Sequence, residues 1–210
     1  DDMNAGEDMD AEATPEATEE ANTDATITER VLFRINSEES EVRFNIDEEL
    51  RGNPITVVGT TNQVAGDVVV DFSNPGASQM GTIRINVRTL RTDNTFRNDA
   101  IRGRILESSR DEYEFSEFVP TEVLGLPETV AVGDTVEFQI IGDLTIRDIT
   151  RSVTFEASVE VVSESRLNGY ASTTVLYPDF NLTIPEAPGV ANIADEVILE
   201  IEFVADRVES

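Results

Sequence analysis

Residues Thr135-Val136-Glu137-Phe138-Gln139-Ile140-Ile141-Gly142-Asp143-Leu144-Thr145-Ile146 and Arg151-Ser152-Val153-Thr154-Phe155-Glu156-Ala157-Ser158-Val159-Glu160-Val161-Val162 flank the short loop Arg147-Asp148-Ile149-Thr150. Apolar and polar side chains alternate on both sides of that loop. A period of two gives each strand one buried and one wet face, so the pair reads as an antiparallel hairpin. Twelve residues at about 3.3 Å each span roughly 40 Å, twice the length of a usual strand of about 20 Å. Strands of that length suit a deep barrel better than a compact sandwich.

The same period recurs on either side. Val42, Phe44 and Ile46 alternate with Arg43 and Asn45; Ile83, Ile85 and Val87 alternate with Arg84, Asn86 and Arg88. Near the end, Val197, Leu199, Ile201 and Phe203 alternate with Ile198, Glu200 and Glu202. Further strands are expected over 31–36, 64–72, 113–124 and 167–177. The reading is an all-β fold, a single antiparallel barrel of about eight strands over residues 29–206. One segment breaks the pattern. Thr92-Asp93 reads as a helix N-cap, but the apolar residues of 94–107 share no single face, and Gly103 costs about 1 kcal/mol inside a helix. A short or broken helix packed over the barrel is expected.

Residues 1–28 form a separate acidic tail. Positions 1–26 carry 10 acidic residues, no basic ones, and no Val, Ile, Leu or aromatic side chain. Such a segment buries too little surface to offset its ordering entropy and reads as a disordered tether. Asp1 in place of Met leaves room for a signal peptide or lipid anchor lost from the N-terminus.

Composition narrows the function. The 210 residues hold 43 acidic and 15 basic side chains, a formal charge of −28, and all the basic ones are Arg. His, Cys and Lys are absent. That removes catalytic triads built on His, thiolate chemistry, Schiff bases, Cys or His metal sites and disulfides. Nucleic acid is excluded as a partner, since phosphate binding needs clustered cations, and no apolar run is long enough to span a membrane as a helix. No EF-hand spacing appears, and neither a metal nor a cofactor is expected. Asp47-Glu48-Glu49 and Asp111-Glu112 qualify as a carboxylate pair for hydrolysis only by the abundance of acids.

Five stretches carry a family resemblance. Gly142-Asp143-Leu144-Thr145-Ile146-Arg147-Asp148-Ile149-Thr150-Arg151-Ser152-Val153-Thr154-Phe155 resembles the signature hairpin of the YceI-like family. Ser40-Glu41-Val42-Arg43-Phe44 resembles its opening strand, and Arg97-Asn98-Asp99-Ala100-Ile101-Arg102-Gly103-Arg104 its R-D-x-H-L-R-S-x stretch. Gly169-Tyr170 and Asp179-Phe180 resemble its G-F and D-F pairs. Ala100, Asn98 and Ser152 stand where the family commonly has His, Asp and Pro. Glu48-Glu49-Leu50-Arg51-Gly52-Asn53-Pro54 lies where it has H-L-G.

The resemblance implies a lipocalin-like barrel in an extracytoplasmic bacterial protein: periplasmic, secreted or tethered at the cell surface. It also implies that a long isoprenoid lipid, a polyprenyl chain or an isoprenoid quinone, is held inside the barrel, by a protein that is no enzyme. Two rivals stand beside that expectation: a cell-surface interaction module with a filled core, and a carboxylate-dependent hydrolase. A homodimer is compatible with all three. The expected inner face supplies ligand contacts from Phe44, Val70, Ile85, Phe138, Ile140, Leu144, Phe155, Ala157, Tyr170, Leu199 and Phe203. Phe96 and Ile101 are expected at the entrance, with Arg97 and Arg102 as head-group contacts by forked hydrogen bonding. Gly66, Gly142, Ala157, Ser172 and Thr174 are expected to point inward and leave space in the lumen.

Overall fold

In the computed structural model, which describes residues 30–209, the long hairpin is built as its alternation requires. The paired segments, in chain order, are β1 (Arg30–Ile35), β2 (Glu41–Leu50), β3 (Asn53–Thr61), β4 (Val64–Ala65), β5 (Asp67–Asp71), β6 (Gln79–Met80), β7 (Ile83–Asn86), β8 (Phe115–Leu124), β9 (Thr135–Ile146), β10 (Ile149–Ser163), β11 (Arg166–Leu176), β12 (Val190–Ala191) and β13 (Glu196–Arg207). β9 and β10 stay in register from Ile146↔Ile149 to Thr135↔Glu160. Their turn is two residues, Arg147-Asp148, shorter than the expected four, with Arg147 in the left-handed region at φ 55°. A non-glycine residue rarely sits there. Arg147 is held by Glu107 at 2.7 Å and donates to the Ile105 carbonyl, so the turn is anchored by the segment above it.

These segments reduce to eight strand positions. β1 and β2 run in the same direction along β13, one above the other, and are one strand interrupted at residues 36–40. β3, β4 and β5 likewise follow one another antiparallel to that strand, and β4 also pairs with β7. From β7 the sheet runs through β8, β9, β10, β11 and β13, each antiparallel to the next. β13 then meets β1 and β2 again, closing an up-and-down barrel. At the seam between β1 and β5, Ile35 N–H donates to the Gly66 carbonyl, and Arg34 grips Asp67 through two hydrogen bonds of 2.8 and 2.9 Å. β9, β10, β11 and β13 are each paired on both sides, while the round is completed at β7 only by its two-residue pairing with β4.

Residues 53–61 were not expected to be a strand. Pro54 and Gly59 disfavour one, and no apolar alternation marks it. The segment pairs nonetheless along the whole of β2, from Leu50↔Asn53 to Val42↔Thr61. The expected acidic tail, residues 1–28, lies outside the described residues.

One end of the barrel is capped by the connection from β7 to β8. It contains α1 (Thr95–Ala100), which runs directly into a π-helical turn, Ile101–Ile105. The broken helix was expected, but not its cap. The Asn94 side chain accepts from Arg97 N–H at 3.2 Å, while the Thr92 hydroxyl bonds Asn98 instead. The turn of β9–β10 and residues 177–195 lie at this same end. The buried apolar residues form two clusters. Phe118, Leu144, Val175, Phe180 and Leu182 belong to the one toward the cap, and Val31, Phe33, Phe72, Val161 and Ala205 to the one toward the far end.

Candidate ligand-binding site in the barrel lumen

Between the two clusters lies a cavity of about 400 Å³. Its walls are the inward faces of the strands: Val42 and Phe44 from β2, Phe138 and Ile140 from β9, Phe155 and Ala157 from β10, Leu199 and Phe203 from β13. Phe44, Phe138, Phe155, Leu199, Ile201 and Phe203 are only partly buried although they point into the barrel. Side chains of a filled core make contact all round. These present bare surface to the cavity instead.

Of the residues assigned to the lumen from the sequence, Phe44, Val70, Ile85, Ile101, Phe138, Ile140, Leu144, Phe155, Ala157, Leu199 and Phe203 all border it. Phe96 does not. It points away from the barrel on α1 and is 87 % exposed. Tyr170 is also outside, because β11 is turned one residue from the expected phase. Ala171 faces Ile201 on the inner side, so Tyr170, Ser172 and Thr174 line up with Glu202, Glu200 and Ile198 on the outer side. There the Tyr170 hydroxyl donates to Glu200, which also accepts from Asn45 and Arg43. These donors hold the Glu200 carboxyl below the usual range, with Tyr170 the largest cause and burial opposing.

Gly66 and Gly142 do not make the empty space that was expected of them, and the place a Cβ would take on Gly66 is filled by Ile83. A Cβ on Gly142 would meet the Phe118 ring, and one on Gly59 or Gly169 would meet the ring of Phe44 or Phe203. Phe44 lies directly opposite Gly59 in register, and Phe203 opposite Gly169. Each glycine lets a phenyl ring lie flat against the barrel wall. The space comes from this flattening, with Ala157 and Ala171 at mid-depth.

Polar groups gather at the capped end. On β2 the inward series Val42, Phe44, Ile46 continues to Glu48, whose side chain is 9 % exposed. Arg97 reaches it from α1: Nη2 donates to Glu48 Oε1 at 3.2 Å, and Nη1 to Asp93 Oδ1 at 2.6 Å. Both Glu48 and Arg97 border the cavity. Glu48 was read from the sequence only as one of many acids, although its place in the alternation was available. Arg102 does not border the cavity and is turned to Asp99 at 3.5 Å. Tyr177, just past the end of β11, borders the cavity at the same rim. Burial, and next the neighbouring Asp195, push its phenol upward, so it stays protonated. Asp67 and Glu200 also touch the cavity wall, but their carboxylates are tied to Arg34 and Arg43. Among the described residues, no cluster of three or more carboxylates is placed to hold a metal ion, and no helix is long and apolar enough to cross a membrane.

An up-and-down antiparallel barrel closed round an apolar cavity defines a lipocalin-like protein. Residues 33–205 match the model of the YceI-like domain, and the chain belongs to that family. The UPF0312 protein of Yersinia pestis (strain Pestoides F) is 26 % identical over 151 residues, covering 70 % of this chain and 72 % of the relative. Among solved structures, the chain is similar to a polyisoprenoid binding domain from Saccharophagus degradans implicated in plant cell wall breakdown, with TM-score 0.64 and 12 % identity over 86 % of this chain and all of that one. It is similar to Burkholderia cenocepacia BcnA, with TM-score 0.63 and 18 % identity over 81 % and 98 % of the two chains. The Campylobacter jejuni YCEI protein gives TM-score 0.57 at 13 % identity over 72 % and 85 %. At these identities the likeness is one of fold.

Proposed function

We propose that the barrel binds and carries a long isoprenoid lipid, a polyprenyl chain or an isoprenoid quinone, with the chain lying in the lumen. The observation that carries this reading is the apolar cavity of about 400 Å³ bordered by partly bare Phe, Leu and Ile side chains. Burying apolar surface contributes about 25 cal/mol per Å², so a slender hydrocarbon gains most of its affinity there, while an unpaired polar ligand loses it. Membership of the YceI-like family supports the lipid, and so does the likeness to a polyisoprenoid binding domain. Both support an extracytoplasmic location. A binding role fits the lumen better than hydrolysis, which needs two carboxyls facing each other across a scissile bond. Glu48 faces Arg97 across the rim.

The test is a titration with geranylgeraniol followed by thermal unfolding. A ligand at about 100 times its dissociation constant adds roughly 2.7 kcal/mol, which in a chain of this size raises Tm by about 5–10 °C. Saturating geranylgeraniol with no rise in Tm and no bound ligand by equilibrium dialysis would sink the reading.

A further inference from the structure

The geometry points to Glu48 as the residue that sets head-group selectivity, admitting isoprenoids with a neutral, hydrogen-bonding head and turning away those that end in phosphate. The inference rests on the isoprenoid reading above and narrows it to a ligand class.

Arg97 is the cation nearest the lumen at the capped rim, and would be the natural partner of a phosphate. Two carboxylates already occupy it. Nη2 is taken by Glu48 and Nη1 by Asp93, so the group of three carries a net charge of −1. Two of the five Arg97 N–H donors, one on each Nη, are thereby turned to protein carboxylates. A phosphate, itself carrying about −1.5 to −2 at pH 7, would have to bind the remaining N–H groups beside two carboxylates, or displace Glu48 from Arg97. Displacement would leave a carboxylate 9 % exposed against an apolar wall with no counter-charge, the costly way to break a buried pair.

A hydroxyl or quinone carbonyl meets no such penalty. Arg97 bonds Glu48 through Oε1, and the other carboxylate oxygen can accept from a ligand hydroxyl. Tyr177, at the same rim, gives its proton to Asp195, and its hydroxyl oxygen can accept from a ligand hydroxyl. Asp195 beside it adds further negative charge. The buried position of Glu48 also separates its effect from the overall charge of −28. Charges in solvent are screened within about 3 Å at 1 M salt, whereas buried pairs are screened much less.

The experiment compares geranylgeraniol with geranylgeranyl phosphate, both below their aggregation limits, by equilibrium dialysis at 0.1 and 1 M NaCl. The parent is expected to bind the alcohol at least tenfold more tightly, and to keep that preference at 1 M. Glu48→Gln keeps an oxygen for Arg97 and removes the charge. It is expected to bind the phosphate at least tenfold more tightly than the parent does, so that the parent's preference for the alcohol is lost. Asp93→Asn, at a side chain 88 % exposed, should shift the preference by a smaller factor. Equal binding of both ligands by the parent overturns the inference and leaves the isoprenoid reading standing. So does a preference that vanishes at 1 M NaCl, or a folded Glu48→Gln protein that still excludes the phosphate. Binding of neither ligand by the parent overturns the isoprenoid reading, and the inference with it.

Discussion

Ala157→Phe leaves the barrel folded and lowers its affinity for geranylgeraniol more than 100-fold. Ala157 sits at mid-depth, opposite Phe138 on β9 and Ala171 on β11, and borders the cavity. A phenyl ring there enters open space, so the destabilisation stays at the low end of the ~1–3 kcal/mol typical of overpacking. The ring takes the room of about four methylene groups, each worth ~0.8 kcal/mol when buried. The resulting loss of about 3 kcal/mol corresponds to a factor above 100 in dissociation constant. Arg102→Ala is the contrast. Arg102 does not border the cavity, and its replacement should change binding less than threefold. Equilibrium dialysis of both variants, with circular dichroism to check folding, decides the matter. If Ala157→Phe folds and binds like the parent while Arg102→Ala abolishes binding, the affinity lies in the capped end and not in the lumen.

Gly142→Ala costs about 1–3 kcal/mol and lowers Tm by roughly 3–10 °C. A Cβ at this position would lie 2.6 Å from the Val119 carbonyl oxygen and 2.5 Å from Phe118 Cζ. Neither neighbour can give way easily. The carbonyl belongs to the backbone of β8, and the Phe118 ring is buried and packs edge-on against Phe155 with centroids 5.0 Å apart. Gly103→Ala is the control, since nothing lies within 4 Å of the Cβ it would add. Its Tm should match or slightly exceed that of the parent. Thermal unfolding of the two variants checks the argument, and an unchanged Tm for Gly142→Ala would contradict the close approach on which it rests.

The parts of this fold that could be read in the sequence are those where apolar and polar side chains contrast sharply. β9 and β10 alternate along most of their length, interrupted at Ile141-Gly142 and Val161-Val162, so both their pairing and their inward face follow from period two. β3 carries Pro54 and Gly59 and no clear alternation, and what makes it a strand is its partner β2, a tertiary fact. β11 fails differently. From Asn168 to Thr174 its side chains are small or polar apart from Tyr170, so no contrast fixes the phase, and the one large ring suggests the wrong face. The outer ladder of Glu200, Asn45 and Arg43 draws the Tyr170 hydroxyl to that side. The glycines opposite Phe44 and Phe203 could not be interpreted before the register was known. Glu48 was legible: it extends Val42, Phe44 and Ile46 by one more step, and a carboxylate on an inward series is the signal that marks it.

Most of the account depends on what occupies the lumen. Protein purified from its own source without added detergent, then measured by native mass spectrometry before and after organic extraction, tests this most directly. The account predicts an intact mass above that of the polypeptide by the mass of one isoprenoid, lost on extraction and recovered in the organic phase as a neutral-headed species. An intact mass equal to that of the polypeptide, from protein that also fails to take up geranylgeraniol, would contradict it.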